Sequence, residues 1–207
     1  MSRSCIILAG GKSLRMGHDK ISENLGGMTL LELVVSRVEP LLDEILIVIA
    51  EDRSFPWLEG RSKIKKTSDI YPGKGSLGGI YTGLVRSSSF YNLVLGADMP
   101  FLNQALIQYL FDVAEGFDLA LPKIGSYFEP LHAIYSKNCI GPAEYLIKKG
   151  RKVIIEMAES VSVRYVDVEE IDRFDPRRLS FFNINTKEDL ELAKKIYREI
   201  KQPSMPS

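Results

Sequence analysis

The chain carries very little cysteine: two residues, Cys5 and Cys139, in 207. Two lone cysteines so far apart make neither a metal motif nor a disulfide framework, and a reducing cytoplasm is the simplest setting for them. Net charge is also missing. Lys plus Arg and Asp plus Glu each number 27, a formal charge of zero, whereas a general nucleic-acid or membrane-surface binder usually shows a basic excess. No nucleic acid and no membrane are therefore expected as partners, while a small anionic ligand held by local charge stays open. No apolar run approaches bilayer length, and the short apolar run near the N-terminus is too short for a signal peptide. Repeats, low-complexity tracts and linkers are absent. What is present is 45% hydrophobic content, ordinary for a globular domain, in a length that suits one core better than two. A single domain over residues 1–200 with a flexible tail over 201–207 is expected.

Strand and helix patterns alternate along the chain. Apolar runs at 5–8, 45–49 and 93–95, with a shorter one around Ile64, read as buried strands. Helical spacing appears after Thr29, over 78–85 and over 104–114. The second half reads as short strands at 119–121, 131–135 and 161–168, and short helices at 142–148 and 153–158. A last helix runs to about Ile200, opened by Thr186 with Asp189 three residues on. Such alternation predicts an α/β fold: a three-layer Rossmann-like sandwich with a mainly parallel sheet and helices on both faces. Ligands of such sheets bind at the carboxyl ends of the strands.

The first strand runs into Gly10-Gly11-Lys12-Ser13-Leu14-Arg15-Met16-Gly17-His18-Asp19-Lys20. Glycine permits positive φ and close approach of a ligand to the backbone, successive N–H groups form an anion nest, and Arg15 and Lys20 add positive charge. The pattern describes a ligand with several phosphates. It is not a Walker loop, because His18 rather than Lys and Ser/Thr follows Gly17. Gly-Gly alone is often only a tight turn; the whole string is more specific. Leu8, Ala9, Gly10, Gly11, Ser13, Arg15, Met16, Gly17, Asp19 and Lys20 resemble the signature of molybdenum cofactor guanylyltransferases, within the wider nucleotidyltransferases. The resemblance implies a nucleotide-diphospho-sugar transferase-like fold and transfer of GMP from Mg²⁺-GTP to molybdopterin-bound molybdenum cofactor. It also implies possible proteins that deliver and receive that cofactor.

Asp98 follows a buried strand in Gly96-Ala97-Asp98-Met99-Pro100. It is either a turn aspartate or a carboxylate for a hard cation such as Mg²⁺; the family's metal-binding segment is similar, apart from a Cys missing here. Gly73-x-Gly75-x-x-Gly78, with Asp98 about twenty residues on, also matches a dinucleotide fingerprint, so an NAD-dependent oxidoreductase is a rival reading. Against it, Tyr71 and Pro72 separate the glycines from any strand. In the family reading, Gly75-Ser76-Leu77-Gly78-Gly79 resembles a Gly-Pro-Leu-Ala-Gly segment. Asp69 can accept both N1–H and the 2-amino group of guanine, a pair that adenine and cytosine lack, or be a solvated loop residue. Residues 49–52 lack the Asn that the family often carries there.

On this reading Arg15, Lys20 and Asp98 are catalytic. Leu8, Ala9, Gly10, Gly11, Lys20, Asp69 and Asp98 bind the nucleotide, and Asp98 holds the metal. Gly78, His132, Arg151, Lys152, Asn183 and Asn185 are candidates for the acceptor site. Arg151 and Lys152 read as cations at a helix start, a placement the dipole disfavours unless an anion binds there. His132 can equally be a core histidine, Arg151 and Lys152 a solvated face, and Asn185-Thr186 a helix cap. A transferase for another base or acceptor, such as cytidylyl transfer to molybdopterin or transfer to a sugar phosphate, is the nearest alternative. Gly10-Gly11 favours guanine over it. A nucleotide-fold binding module without catalysis is a further alternative.

Overall fold

In the computed structural model, Arg3–Leu8 forms β1 and Glu44–Ile49 forms β4; the residues described are 2–10, 22–49 and 54–201. Between β1 and β4 lie two two-residue strands, β2 (Asn24–Leu25) and β3 (Met28–Thr29), and helix α1 (Leu30–Val38). Thr29 caps α1 with a reciprocal box: its hydroxyl accepts from the Glu32 N–H, and Glu32 accepts from the Thr29 N–H at 2.7 Å. Next come β5 (Ile64–Ser68), α2 (Ser76–Arg86), β6 (Tyr91–Gly96) and α3 (Gln104–Val113). The second half holds β7 (Leu119–Ile124), β8 (Tyr127–Phe128), β9 (His132–Ser136), α4 (Ile140–Lys148), β10 (Val163–Val166), α5 (Val168–Asp172) and α6 (Lys187–Lys201).

The main sheet runs β10-β7-β9-β6-β1-β4-β5, with β8 paired to β7 off that path. Strands β1, β4, β5 and β6 are mutually parallel, as are β7 and β10. Strand β9 runs antiparallel to both of its neighbours. The residues of β4 are buried throughout, which is why its sequence does not alternate. One face of the sheet, with Cys5, Ile7, Ile45 and Ile47, packs on α1 and α3; the other, with Ile6, Val48 and Val94, packs on α2 and α4. Each fully buried Ile or Leu contributes roughly 1.5–3 kcal/mol. A third cluster joins Leu25 and Leu30 to Phe101, Ile184, Leu190 and Ile196, seating α6 beside the start of α1. Cys5 and Cys139 are both buried, one in each of the first two clusters. Burial holds the Cys5 thiol well above its ordinary pKa, and burial followed by the Asp118 charge pushes Cys139 up to about 12.

Helix α2 lies unusually close to β1. A Cβ on Gly83 would stand 2.3 Å from Ile6 Cγ2, and one on Gly79 2.9 Å from Leu8 Cδ2. These two glycines set the depth at which α2 sits on the strand that leads into the glycine loop.

Three expectations change. The strand expected over 161–168 stops at Val166, because Asp167 starts α5: its carboxylate accepts from Glu170 N–H, and Glu170 reaches back to the Asp167 N–H. The helix expected at 153–158 is a 3-10 helix over Ile154–Ser160. Lys201, placed in the tail by sequence, is the last residue of α6; residues 202–207 lie outside the described residues. Among the described residues no helix is long and apolar enough to cross a membrane.

Candidate active site

Strand order reverses beside β1. The chain steps outward from β1 to β4 and β5, then returns to lay β6 on the other side of β1. A crevice outside the carboxyl ends of the strands belongs at such a reversal. Leu8, Ala9 and Gly10 leave β1 there, and Ala97 and Asp98 leave β6 there. The Ala97 N–H donates to the Leu8 carbonyl at 3.3 Å, and the Ala9 N–H donates to the Val48 carbonyl at 2.9 Å. Asp69 follows β5 at the same edge, its N–H donating to the Ile49 carbonyl at 2.9 Å. Leu8 is partly buried, Ala9 buried and Gly10 exposed. Gly11, Arg15 and Lys20, expected to bind phosphates, lie outside the described residues, as do residues 50–53.

Asp98 is partly buried and folds back over Gly96: a Cβ on Gly96 would stand 2.5 Å from Asp98 Oδ1. Its carbonyl accepts from the Ile184 N–H at 3.1 Å, which brings the Asn183–Asn185 segment beside it. That segment is held from behind. Asp175 accepts from the Leu179 and Ser180 N–H groups at 3.1 and 2.7 Å, Ser180 Oγ accepts from the Asn103 N–H at 2.9 Å, and Arg178 turns through φ 51° with its guanidinium on Asp172. Asn183 Nδ2 donates to the Phe181 carbonyl at 3.0 Å, and the Asn185 N–H donates to Asp189 at 2.9 Å. Among the described residues no group of three or more His, Cys, Asp or Glu gathers as a metal cage. A carboxylate at the carboxyl end of a strand suits a hard divalent cation that completes its shell from phosphates and water.

Asp69 is more occupied than its sequence implies. Its Oδ1 accepts from the Tyr71 N–H at 3.0 Å and from the Thr82 hydroxyl at 2.8 Å, and Thr82 Oγ1 in turn accepts from the Ile70 N–H at 2.9 Å. Oδ2 is the oxygen with room, facing the first turn of α2, where it would lie 3.3 Å from a Cβ on Gly78. Gly78 is pressed against the Tyr71 carbonyl, which a Cβ would approach to 2.8 Å. The glycines of the apparent dinucleotide fingerprint thus have other work. Gly73 and Gly75 turn the loop with φ 84° and 65°, and Gly78 admits Tyr71. The dinucleotide reading fails on topology as well. The acid it requires belongs on the neighbouring strand, yet β4 and β1 lie between β5 and β6, a separation of about 14 Å at strand spacing.

The matching family model, the MobA-like NTP transferase domain, covers residues 5–163. The chain belongs to this family. A probable molybdenum cofactor guanylyltransferase of Methanosarcina mazei is 36% identical over 91% of this chain and 88% of its own. One of Natranaerobius thermophilus is 34% identical over 93% and 95%. A solved structure, molybdopterin-guanine dinucleotide biosynthesis protein A from Archaeoglobus fulgidus, superposes with a TM-score of 0.83 at 31% identity, covering 95% of this chain and 99% of that one.

Two acceptor-site expectations for this MobA-like chain change. His132 is fully buried, its Nδ1 3.2 Å from the Ser180 carbonyl, so Nδ1 carries the proton and Nε2 is an acceptor with no partner among the described residues. Burial lowers its pKa to about 4. It anchors the 179–185 segment from inside the core. Arg151 and Lys152 precede only the 3-10 helix over Ile154–Ser160, not an α-helix. They follow the C-terminal end of α4, where cations are favoured, and Arg151 donates from Nε to Glu156 at 2.7 Å. That pairing removes the need for an anionic ligand at Arg151, while Lys152 makes no ion pair among the described residues. Among the described residues no hydrogen bond or ion pair joins either cation to Asp98. Sequence reasoning missed Gly96 and Thr82. Their signals, a glycine two residues before the acid and a threonine on α2 six residues after Ser76, gain meaning only once β6 and α2 are placed.

Proposed function

We propose that this chain transfers GMP from GTP to molybdopterin-bound molybdenum cofactor and releases pyrophosphate. The observation that supports this reading is the hydrogen bond from the Ala97 N–H to the Leu8 carbonyl, which joins the ends of β6 and β1 at the strand-order reversal. The names of the relatives supply the substrates. The acceptor's terminal phosphate is already ionised near neutral pH, so positioning and charge neutralisation carry the rate and no strong base is required. The backbone N–H groups of Gly10 and Gly11, with Arg15 and Lys20, hold the triphosphate, and Lys20 balances charge growing on the leaving pyrophosphate. Asp98 holds Mg²⁺, which when bound supplies Lewis-acid neutralisation of the phosphate charge. Asp69 contacts guanine through Oδ2 while Oδ1 keeps the 69–73 loop in place. Asn183 and Asn185 face the acceptor from the Ile184 side of Asp98.

The deciding experiment incubates the protein and Mg²⁺ with GTP or CTP and purified molybdopterin cofactor, and measures pyrophosphate and the nucleotide-bearing product. Product with GTP and little with CTP is expected. Product with CTP alone would move the chain to cytidylyl transfer.

A further inference from the structure

Glu129 lies at the same edge of the sheet and has not been given a role. Its N–H donates to the Pro122 carbonyl at 3.0 Å, which extends the β7–β8 pairing by one residue. Two residues on, the Leu131 carbonyl accepts from the N–H of Gly96, the residue over which Asp98 folds, at 3.3 Å. The Glu129 side chain is partly buried, yet among the described residues nothing donates to its carboxylate. Burial accordingly raises its pKa, the mark of an anion shielded from water without compensation. Three other partly or wholly buried carboxylates behave differently: Glu44, Asp118 and Glu170 each collect several donors, which outweigh burial and hold them below their ordinary values. Tyr127, two residues before Glu129 on the same extended segment, shares its face by the period of a strand and is 76% exposed. The segment therefore presents an exposed aromatic ring and a carboxylate without a donor among the described residues, two residues before the Leu131 carbonyl that meets Gly96.

We propose that Glu129 reads the 2-amino-4-oxopyrimidine edge of the acceptor's pterin, with Tyr127 offering its ring to the pterin plane. This rests on the acceptor reading above. The pterin edge carries two adjacent donors, N3–H and the 2-amino group, and a carboxylate accepts both in one bidentate contact. The match explains why no described residue donates to the carboxylate. A flat heterocycle also gains from stacking on an aromatic side chain.

The test uses 6-hydroxymethylpterin and 6-hydroxymethyllumazine as competitors of GMP transfer to molybdopterin. Lumazine replaces the 2-amino donor with a carbonyl. Wild type is expected to be inhibited by the pterin about tenfold or more better than by the lumazine, the scale of one charged hydrogen bond. Glu129→Ala and Glu129→Gln are expected to lose that preference while binding GTP as wild type does, which also reports that they fold. Equal inhibition of wild type by the two compounds, or a preference that survives in both variants, overturns the assignment of Glu129. Absence of any GMP transfer by wild type overturns the acceptor reading, and this proposal with it.

Discussion

Replacing Gly96 with alanine isolates the placement of the Asp98 carboxylate from its chemistry. The added Cβ would lie 2.5 Å from Asp98 Oδ1, 3.6 Å from Asp98 Cγ and 3.6 Å from Met99 Sδ. Only the first contact is too short. An ordinary carbon–oxygen contact begins near 3.3 Å, so the carboxylate must move by about 0.8 Å. It can do so by rotating, because it is the far end of a side chain and the backbone at Gly96 is outside the positive-φ region. Stability should therefore change by less than about 1 kcal/mol. Misplacement of a reacting group by about 1 Å costs on the order of 10²-fold, and we expect kcat/KM for GMP transfer to fall by about that factor. Raising Mg²⁺ should recover part of the loss if the displaced carboxylate binds the ion more weakly. Pyrophosphate release across a Mg²⁺ titration, with a thermal melt of the same sample, reads both effects. Wild-type turnover in Gly96→Ala, or a lost activity explained by a collapsed melting temperature, would refute the reasoning.

Asp98→Asn keeps the size of the side chain and removes its charge; turnover should be abolished at ordinary Mg²⁺ with the melting temperature near wild type. Asp69→Asn retains an acceptor for Tyr71 and Thr82 but turns a donor toward the nucleotide. Calorimetry should show GTP affinity about ten- to a hundredfold lower, and the preference for GTP over inosine triphosphate gone; unchanged GTP affinity would leave Asp69 only its loop contacts. Two groups with large shifts contribute to acid stability. His132 has a folded pKa lowered to about 4 from 6.5, so the unfolded chain binds more protons between those values and stability falls as pH drops through that window. For Glu44, burial raises the pKa, but Ser88, Lys65 and Ser4 outweigh it and bring it to about 2, so its contribution is present above pH 4.5 and lost as pH falls toward 2. Thermal melts from pH 7 to 2 should decline in both windows, and Glu44→Gln should flatten only the lower one; a flat wild-type profile would contradict both assignments.

The parts legible in the sequence are those where local and global signals agree. The buried run of β4 and the Thr29 and Thr186 caps are read correctly because burial on both faces and a capping box leave direct traces. The carboxyl end of β6, which carries Asp98, is legible for the same reason, since that acid follows a buried apolar run; Asp69 follows Ile64-Lys65-Lys66-Thr67-Ser68, an edge strand whose polar residues leave no such trace. Strands β2 and β3 leave no period in two residues each. The start of α5 is masked by the alternation of Val163–Val166 running up to Asp167. The misreading of Arg151 has a different origin. Its partner Glu156 is five residues on, in the first turn of the 3-10 helix, and that spacing is not one that a helical pattern pairs. The antiparallel run of β9 likewise depends on which strands it lies between, and this is why Glu129 ends up near Gly96 rather than at the far side of the sheet.

The two buried thiols make the surface chemically silent toward sulfhydryl reagents. At about pKa 12, Cys139 is ionised in roughly one molecule per 10⁵ at pH 7, and Cys5 is held well above its ordinary value in a fully buried position. A cysteine introduced at an exposed place would then be the only group that reacts quickly with a maleimide, with no need to strip the native pair. Ser126→Cys and Lys152→Cys would put a single dye on the β7–β8 turn or on the turn after α4. Fluorescence from either position would report nucleotide and acceptor arrival in real time on the otherwise unaltered chain.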